Sequence, residues 1–495
     1  MHETGHAKDG DTAVLDDNIR LRTSQARLDE DDAFPTTTHR GHQYARAALM
    51  FVDMNDFVHF MFSADDDDDD DDERRDFTVV KLRRMSERRR ESYGCEHAAT
   101  RRRRRDELIR DALRDYFSKL AVSVDAYGGE IVSFIGDAVL VAWFAKRVSN
   151  EHSGLVSATR VAAFCAESIA ARVHGGLMCA RWSIAVKIMV SCGDVVVIDT
   201  GDERTREALL VGQAVDDLYT LKRYMRPGRV AYSAQCLRLL EDEDAITTAD
   251  TSALVLSSSH LYCPNGHHIA RRSVLEDDVF DRAAAAKNSF ASAVVGRTRA
   301  ACAVTFYRFV PERARGRAEG VEYVDAIQRA VHVIQHGVCK SGGVIVQIVV
   351  DEDGPACLCA FGLARDAKDN TRDAPTRAVR CAQCVLASFA REVPMFEIAV
   401  GISTGCVNIG PAMARHALRR ELTLIGVPVI LAARFADAAL KNASNGAMML
   451  LDCTTRVEAA ASMIDFVAMT TQMDMRLKGF PSVVRAYAVN VGGAA

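Results

Sequence analysis

The chain has 495 residues, 48% of them apolar, and 62 Lys and Arg stand against 67 Asp and Glu for a net charge of −5. That length predicts about three domains of ~150 residues, and the near-neutral balance excludes a global field that would draw in nucleic acid. No run of roughly 18 apolar residues predicts a membrane span, and the polar start MHETGHAKDGDTAVLDDN is not a signal peptide. Fourteen cysteines scattered through apolar stretches, as in Cys357-Leu-Cys359, predict a reduced, cytoplasmic protein.

Residues 1–43 are polar and charged, which predicts a disordered segment. AALMFVDM (47–54) reads as a strand, and the composition then changes abruptly. Residues 65–72 are eight aspartates, and ten arginines fall between Arg83 and Arg105, five of them consecutive from Arg101. Blocks of like charge rarely fold, so 63–105 is expected to be a flexible insertion ahead of a helix starting near Asp106. The arginine block could touch nucleic acid or an acidic membrane, but a solvated loop is the plainer reading. The aspartate run lacks the interleaved glycine and spaced glutamate of an EF-hand. Leu108, Ile109, Leu113, Phe117 and Leu120 then recur at helical spacing through 106–127. YGGEIVSFIGDAVLVAWF (127–144) follows, with strand-like segments on either side of Gly136-Asp137. A lone carboxylate in such a run is costly to desolvate. Either Asp137 makes a turn, or a cation sits there.

An internal repeat organises the rest. GGEIVSFIGDAVLVAWF from Gly128 returns as GGVIVQIVVDEDGPACLCAFG from Gly342, an offset of 214. Ser191 and Gly193 of KIMVSCGDVVVI match Ser403 and Gly405 of EIAVGISTGCVNI, an offset of 212. Gly212 of LLVGQAVDD matches Gly426 of TLIGVPVIL at 214 again. Two homologous domains are expected, 44–258 and 301–493, with a polar linker over 259–300. Each copy reads strand, helix, two strands, helix, strand, which is an α+β sandwich. In the linker, CPNGHH offers Cys263, His267 and His268 but no well-spaced fourth zinc ligand. Cys381-x-x-Cys384 lies in a helix-like stretch where core packing is the plainer role.

FVDMNDF (51–57), YGGEIVSFIGDAVLVAW (127–143), AVKIMVSCGDV (185–195), LLVGQAVDD (209–217), CLCAFG (357–362), RRELTLIG (419–426) and ILAARF (430–435) together resemble the catalytic domains of class III nucleotide cyclases. The likeness is nearest to the soluble, bicarbonate-responsive adenylyl cyclases, and it covers about 370 residues. A late LKG (477–479) before SVVRAYAV (482–489) fits the family's domain ending. The resemblance implies a ferredoxin-like βαββαβ core in each copy. It also implies a pseudo-symmetric, head-to-tail intramolecular pair with one composite active site. In that site Asp53 and Asp137 would hold two Mg²⁺ or Mn²⁺ ions, Arg434 would meet charge developing at the α-phosphate, and Lys187 would bind phosphate. Gln347 and Thr423 would choose the base, adenine over guanine, since the acidic residue that guanine pairs with is missing.

Several positions depart from the family. Ile430 stands where the family has a transition-state asparagine, Asp56 replaces a glycine of the phosphate-cradling turn, and Pro355 takes the place of Asp137 in the second copy. Ser133 and Tyr219 replace the lysine and arginine that hold bicarbonate, so bicarbonate is not expected to stimulate this chain. The expected function is adenylate cyclase at reduced rate, ATP to 3′,5′-cyclic AMP and pyrophosphate. The alternative is a catalytically silent, nucleotide-binding regulatory or scaffold protein of the same fold.

Overall fold

Strand β1 (His42–Met54) is apolar at both parities from Ala47 to Val52, as suits a strand covered on both faces. Ala48, Met50, Val52 and Met54 pack to one side, and Ala47, Leu49 and Phe51 to the other. The computed structural model describes residues 42–55, 57, 95–145, 151–178, 182–201, 206–241, 255–256, 297–311, 321–351, 353–363, 373–412, 421–442, 447–463, 466–480 and 482–490, all within one compact unit, Thr38–Ala495. The aspartate run, Asp56 and the CPNGHH stretch lie outside them.

Helix α1 (Cys95–Ala126) follows, then the hairpin β2 (Glu130–Ile135) and β3 (Ala138–Phe144), helix α2 (Glu151–Arg172), and a small hairpin β4 (Leu177–Met178) and β5 (Trp182–Ser183). The first half ends with β6 (Val186–Gly201), β7 (Arg206–Val211), α3 (Gln213–Lys222), β8 (Val230–Tyr232), α4 (Ala234–Glu241) and β9 (Val255–Leu256). Its sheet has the order β2-β3-β1-β6-β8-β9, with β7 pairing the far end of β6. Ile109, Leu113, Tyr116, Phe117, Leu120 and Val124 of α1 pack with α2 on one face, while Ala214, Val215 and Leu218 of α3 cover the other. The charged start expected as a loop is partly helix: α1 begins ahead of Asp106 and takes in 101–105.

The second half repeats the plan with β10 (Arg297–Pro311), α5 (Val321–Lys340), β11 (Val344–Asp351), β12 (Gly354–Phe361), α6 (Ala374–Glu392), β13 (Phe396–Ala412), β14 (Glu421–Ile425), α7 (Val427–Lys441), β15 (Ala447–Leu451), α8 (Cys453–Ala460), β16 (Thr470–Met475) and β17 (Val484–Asn490). Its sheet runs β11-β12-β10-β13-β15-β17-β16, with β14 on β13. The two mixed α/β sheets fit a tandem pair. Their hairpins slip register at the same place, between Ile131 and Ser133 and between Ile345 and Gln347. The repeated glycines also have one cause. Gly212 (φ 122°) and Gly426 (φ 156°) precede α3 and α7, and a Cβ there would meet the Asp194 carbonyl at 2.9 Å or the Cys406 carbonyl at 2.8 Å.

The halves share core. Ile198, Leu209 and Val211 join the cluster around α5 and α6, Ile425 joins the cluster under α1, and Ile430 packs against it. Gly154–Arg172, within α2, is the one helix among the described residues long and apolar enough to cross a membrane, and 56% of it is buried in the protein.

Candidate active site

Asp53 lies next to last in β1, on the Phe51 face that α3 covers, because successive strand side chains alternate. Its register partner on β6 is Lys187, which is half-buried and lies on the same face. Asp137 occupies the two-residue turn that the Ile135–Ala138 pair closes, with Gly136 at φ +66° supplying the left-handed step. Pairing of β1 with β3 runs to Val52–Val139 and so brings this turn beside Asp53.

Burial, and then the charge of Asp53, push the Asp137 carboxyl up to about 8. A backbone hydrogen bond, Lys222 and Arg434 pull the other way. Arg434 belongs to α7 of the second half, so the field at Asp137 already includes a residue from across the molecule. Its Nη1 lies 3.6 Å from Asp437 Oδ2, and its Nε is buried with no hydrogen-bond partner among the described residues. Beneath the aspartates, Tyr116 is fully buried and its hydroxyl has no partner among the described residues. Burial foremost, then Asp137 and Asp53, hold its proton more tightly than usual.

Two of these residues were not legible as site residues. Lys222, in the last turn of α3 and 5.5 Å from the Phe51 ring centroid, is one. Tyr116 is the other, since a tyrosine on the apolar stripe of a helix reads as core.

No family model matches the chain. The sequence is 24% identical over 367 residues to adenylate cyclase type 10 of Homo sapiens and equally to that of Rattus norvegicus, covering 66% of this chain and 22% of those proteins. The chain is related to the class III nucleotide cyclases. It spans about a fifth of the length of the curated relatives it matches. Among solved structures, the adenylyl cyclase CyaB from P. aeruginosa is 19% identical, with 39% of this chain and 95% of that chain covered at a TM-score of 0.32. A class III adenylyl cyclase-like ATP-binding protein from Pseudomonas aeruginosa is 11% identical, with 84% and 85% covered at a TM-score of 0.46.

Class III cyclases generally use Mg²⁺ or Mn²⁺. Among the described residues no three His, Cys, Asp or Glu side chains assemble into a metal cage. What the chain offers is the Asp53 and Asp137 pair, and it fits: hard carboxylate oxygens suit these ions, and their mutual repulsion is the strain a cation relieves. The remaining ligands would be backbone, water and triphosphate oxygens.

The departures from the cyclase pattern have definite surroundings. Pro355 pairs with Val350 inside the second hairpin, so no carboxylate stands at Asp137's register there. Gln347 is buried, and its amide nitrogen donates to the Phe134 carbonyl of the first half. Thr423 lies on β14 opposite Gly410. Tyr219 donates from its hydroxyl to the Val350 carbonyl at 2.7 Å. Beside it, the crevice around Ser133 is otherwise aliphatic, lined by Val132, Leu140, Leu209 and Ile348 among others.

Proposed function

We propose that the chain is an adenylate cyclase, converting ATP to 3′,5′-cyclic AMP and pyrophosphate at one composite two-metal site between cyclase domains 44–258 and 301–493. The observation that carries this reading is the strand register that sets the Asp137 turn beside Asp53, close enough to the second half for Arg434 to act on it. The two domains pair head to tail in this reading, in keeping with the exchange of Ile425 and Ile430 in one direction and Ile198 and Leu209 in the other. The described cysteines are free thiols, in keeping with a cytoplasmic setting.

The bond that forms joins the ribose 3′-oxygen to the α-phosphorus, and the bond that breaks releases pyrophosphate, while the hydroxyl proton leaves to solvent. Two cations, when bound, lower the pKa of that hydroxyl and neutralise charge on the leaving group. Asp53 and Asp137 would hold them, with their carboxylate oxygens as ligands. Lys187 binds phosphate beside Asp53, and Arg434 meets charge developing around the α-phosphate. Gln347 and Thr423 would choose the base in this reading. Ile430 cannot donate a hydrogen bond, and loss of one such donor costs about 10²–10³ in rate, so turnover is slow.

A second reading, a silent nucleotide-binding regulator, is favoured by Ile430 and by the Gln347 amide already engaged with Phe134. Turnover separates the two. The full chain with Mn²⁺ and ATP should yield cyclic AMP, should yield less cyclic GMP from GTP, and should lose at least about 100-fold with Asp53→Asn. Tight ATP binding with no cyclic product would overturn the cyclase reading in favour of the regulator.

A further inference from the structure

In the first half, Leu49 pairs with Ser191 and Asp53 stands four residues on; in the second, Val304 pairs with Ser403 and Arg308 stands four residues on. An arginine therefore takes the register position of the metal-site aspartate. The second hairpin is also longer beyond its bulge, with 347–351 paired against 133–135 in the first. That extension delivers Asp351 to the arginine.

The Arg308 side chain is 3% exposed. Its Nη1 and Nη2 grip Asp351 Oδ1 and Oδ2 at 2.5 and 2.7 Å, and Nη1 also reaches the Gly354 carbonyl at 3.2 Å. Its Nε donates to Asp437 Oδ1 at 2.7 Å. The other oxygen of Asp437 is the one that lies 3.6 Å from Arg434. Two arginines and two aspartates make the cluster, and Asp353 is a third acid whose charge reaches Arg308 and Asp437. Asp437 therefore lies between the two arginines, one oxygen bonded to Arg308 and the other toward Arg434. A carboxylate pinned through one oxygen cannot swing with a flexible neighbour.

We propose that Asp437, pinned by Arg308, is a positioning residue that fixes the direction of the Arg434 guanidinium toward the crevice between the halves. Arg308 thus does for the second half what a bound cation does for the first, and the second half needs no metal of its own. This rests on the reading of Arg434 given above.

The test is a double-mutant cycle in the full chain, with kcat, KM and Mn²⁺-ATP affinity measured for Asp437→Asn, Arg434→Ala and the pair. Asp437→Asn should lower kcat about tenfold with KM nearly unchanged, the size of effect expected from a misplaced reacting group. In the Arg434→Ala background it should do nothing further. Asp351→Asn is the control for a merely structural role, because it also weakens the grip on Arg308 yet leaves the Asp437 bond. It should lower the melting temperature and spare kcat. Effects that multiply in the double variant, or a kcat loss from Asp351→Asn equal to that from Asp437→Asn, would overturn the positioning role while leaving the cyclase reading intact. If neither the parent nor any variant forms cyclic nucleotide, that reading fails instead. The same cycle in Mn²⁺-ATP affinity then decides the positioning role, with coupling in its favour and additivity against it.

Discussion

Asp137 is half-buried beside Asp53, and desolvation together with that neighbouring charge makes its carboxyl hold a proton more tightly than usual. Among the described residues the buried Tyr116 hydroxyl has no hydrogen-bond partner. An unmet buried hydroxyl costs about 1–3 kcal/mol, so Tyr116→Phe should raise the melting temperature of cation-free protein by a few degrees. A clear fall would show that the hydroxyl has a partner in solution. Glu167 tests burial away from the site. Burial raises its carboxyl above the free value of 4.5, while the Tyr232 hydroxyl, donating at 3.1 Å, pulls it back. The folded chain keeps a proton there that the unfolded chain releases. Stability is therefore greatest below the free value and falls as pH rises through the raised folded one. Glu167→Gln should flatten that decline, as read from denaturant melts at pH 4 to 8. The aspartates and Arg434 were legible because each sits in a motif with fixed neighbours. Arg308, Asp437 and Lys222 were not, because their roles come from register and from packing between distant segments.

At the scale of elements, the repeat in the sequence became two sheets of like strand order because the same glycines solve the same steric problem twice. Gly212→Ala would place a methyl 2.9 Å from the Asp194 carbonyl at φ 122°. We expect it to cost at least about 2 kcal/mol in chemical denaturation. Helix α1 was legible in its second part from its apolar spacing. Its start was missed, since a charge block carries no periodicity and gives no hint of where helical backbone begins. Phe117, 2% exposed and stacked edge-on against Phe134 at 5.0 Å, fixes this helix over the hairpin that ends in Asp137. Phe117→Ala should cost about 3–5 kcal/mol and weaken Mn²⁺ binding with it, whereas a loss of stability with unchanged Mn²⁺ affinity would uncouple helix and turn.

Across the whole molecule, the halves are stitched by single hydrogen bonds from long side chains: Tyr219 to Val350, Gln347 to Phe134, and Gln328 to the Asp199 carbonyl at 3.0 Å. Tyr219 thus bonds to the second half, and the crevice around Ser133 is otherwise lined by aliphatic side chains. Millimolar bicarbonate at fixed pH should leave turnover unchanged, and Tyr219→Phe should cost only the ~1 kcal/mol of one hydrogen bond. The most direct measurement is the number of Mn²⁺ ions held per chain, read by electron paramagnetic resonance in the presence of a non-cyclisable ATP analogue. The account predicts two in the parent protein and a marked loss of binding in Asp53→Asn and in Asp137→Asn. Undiminished Mn²⁺ binding in both variants would contradict it.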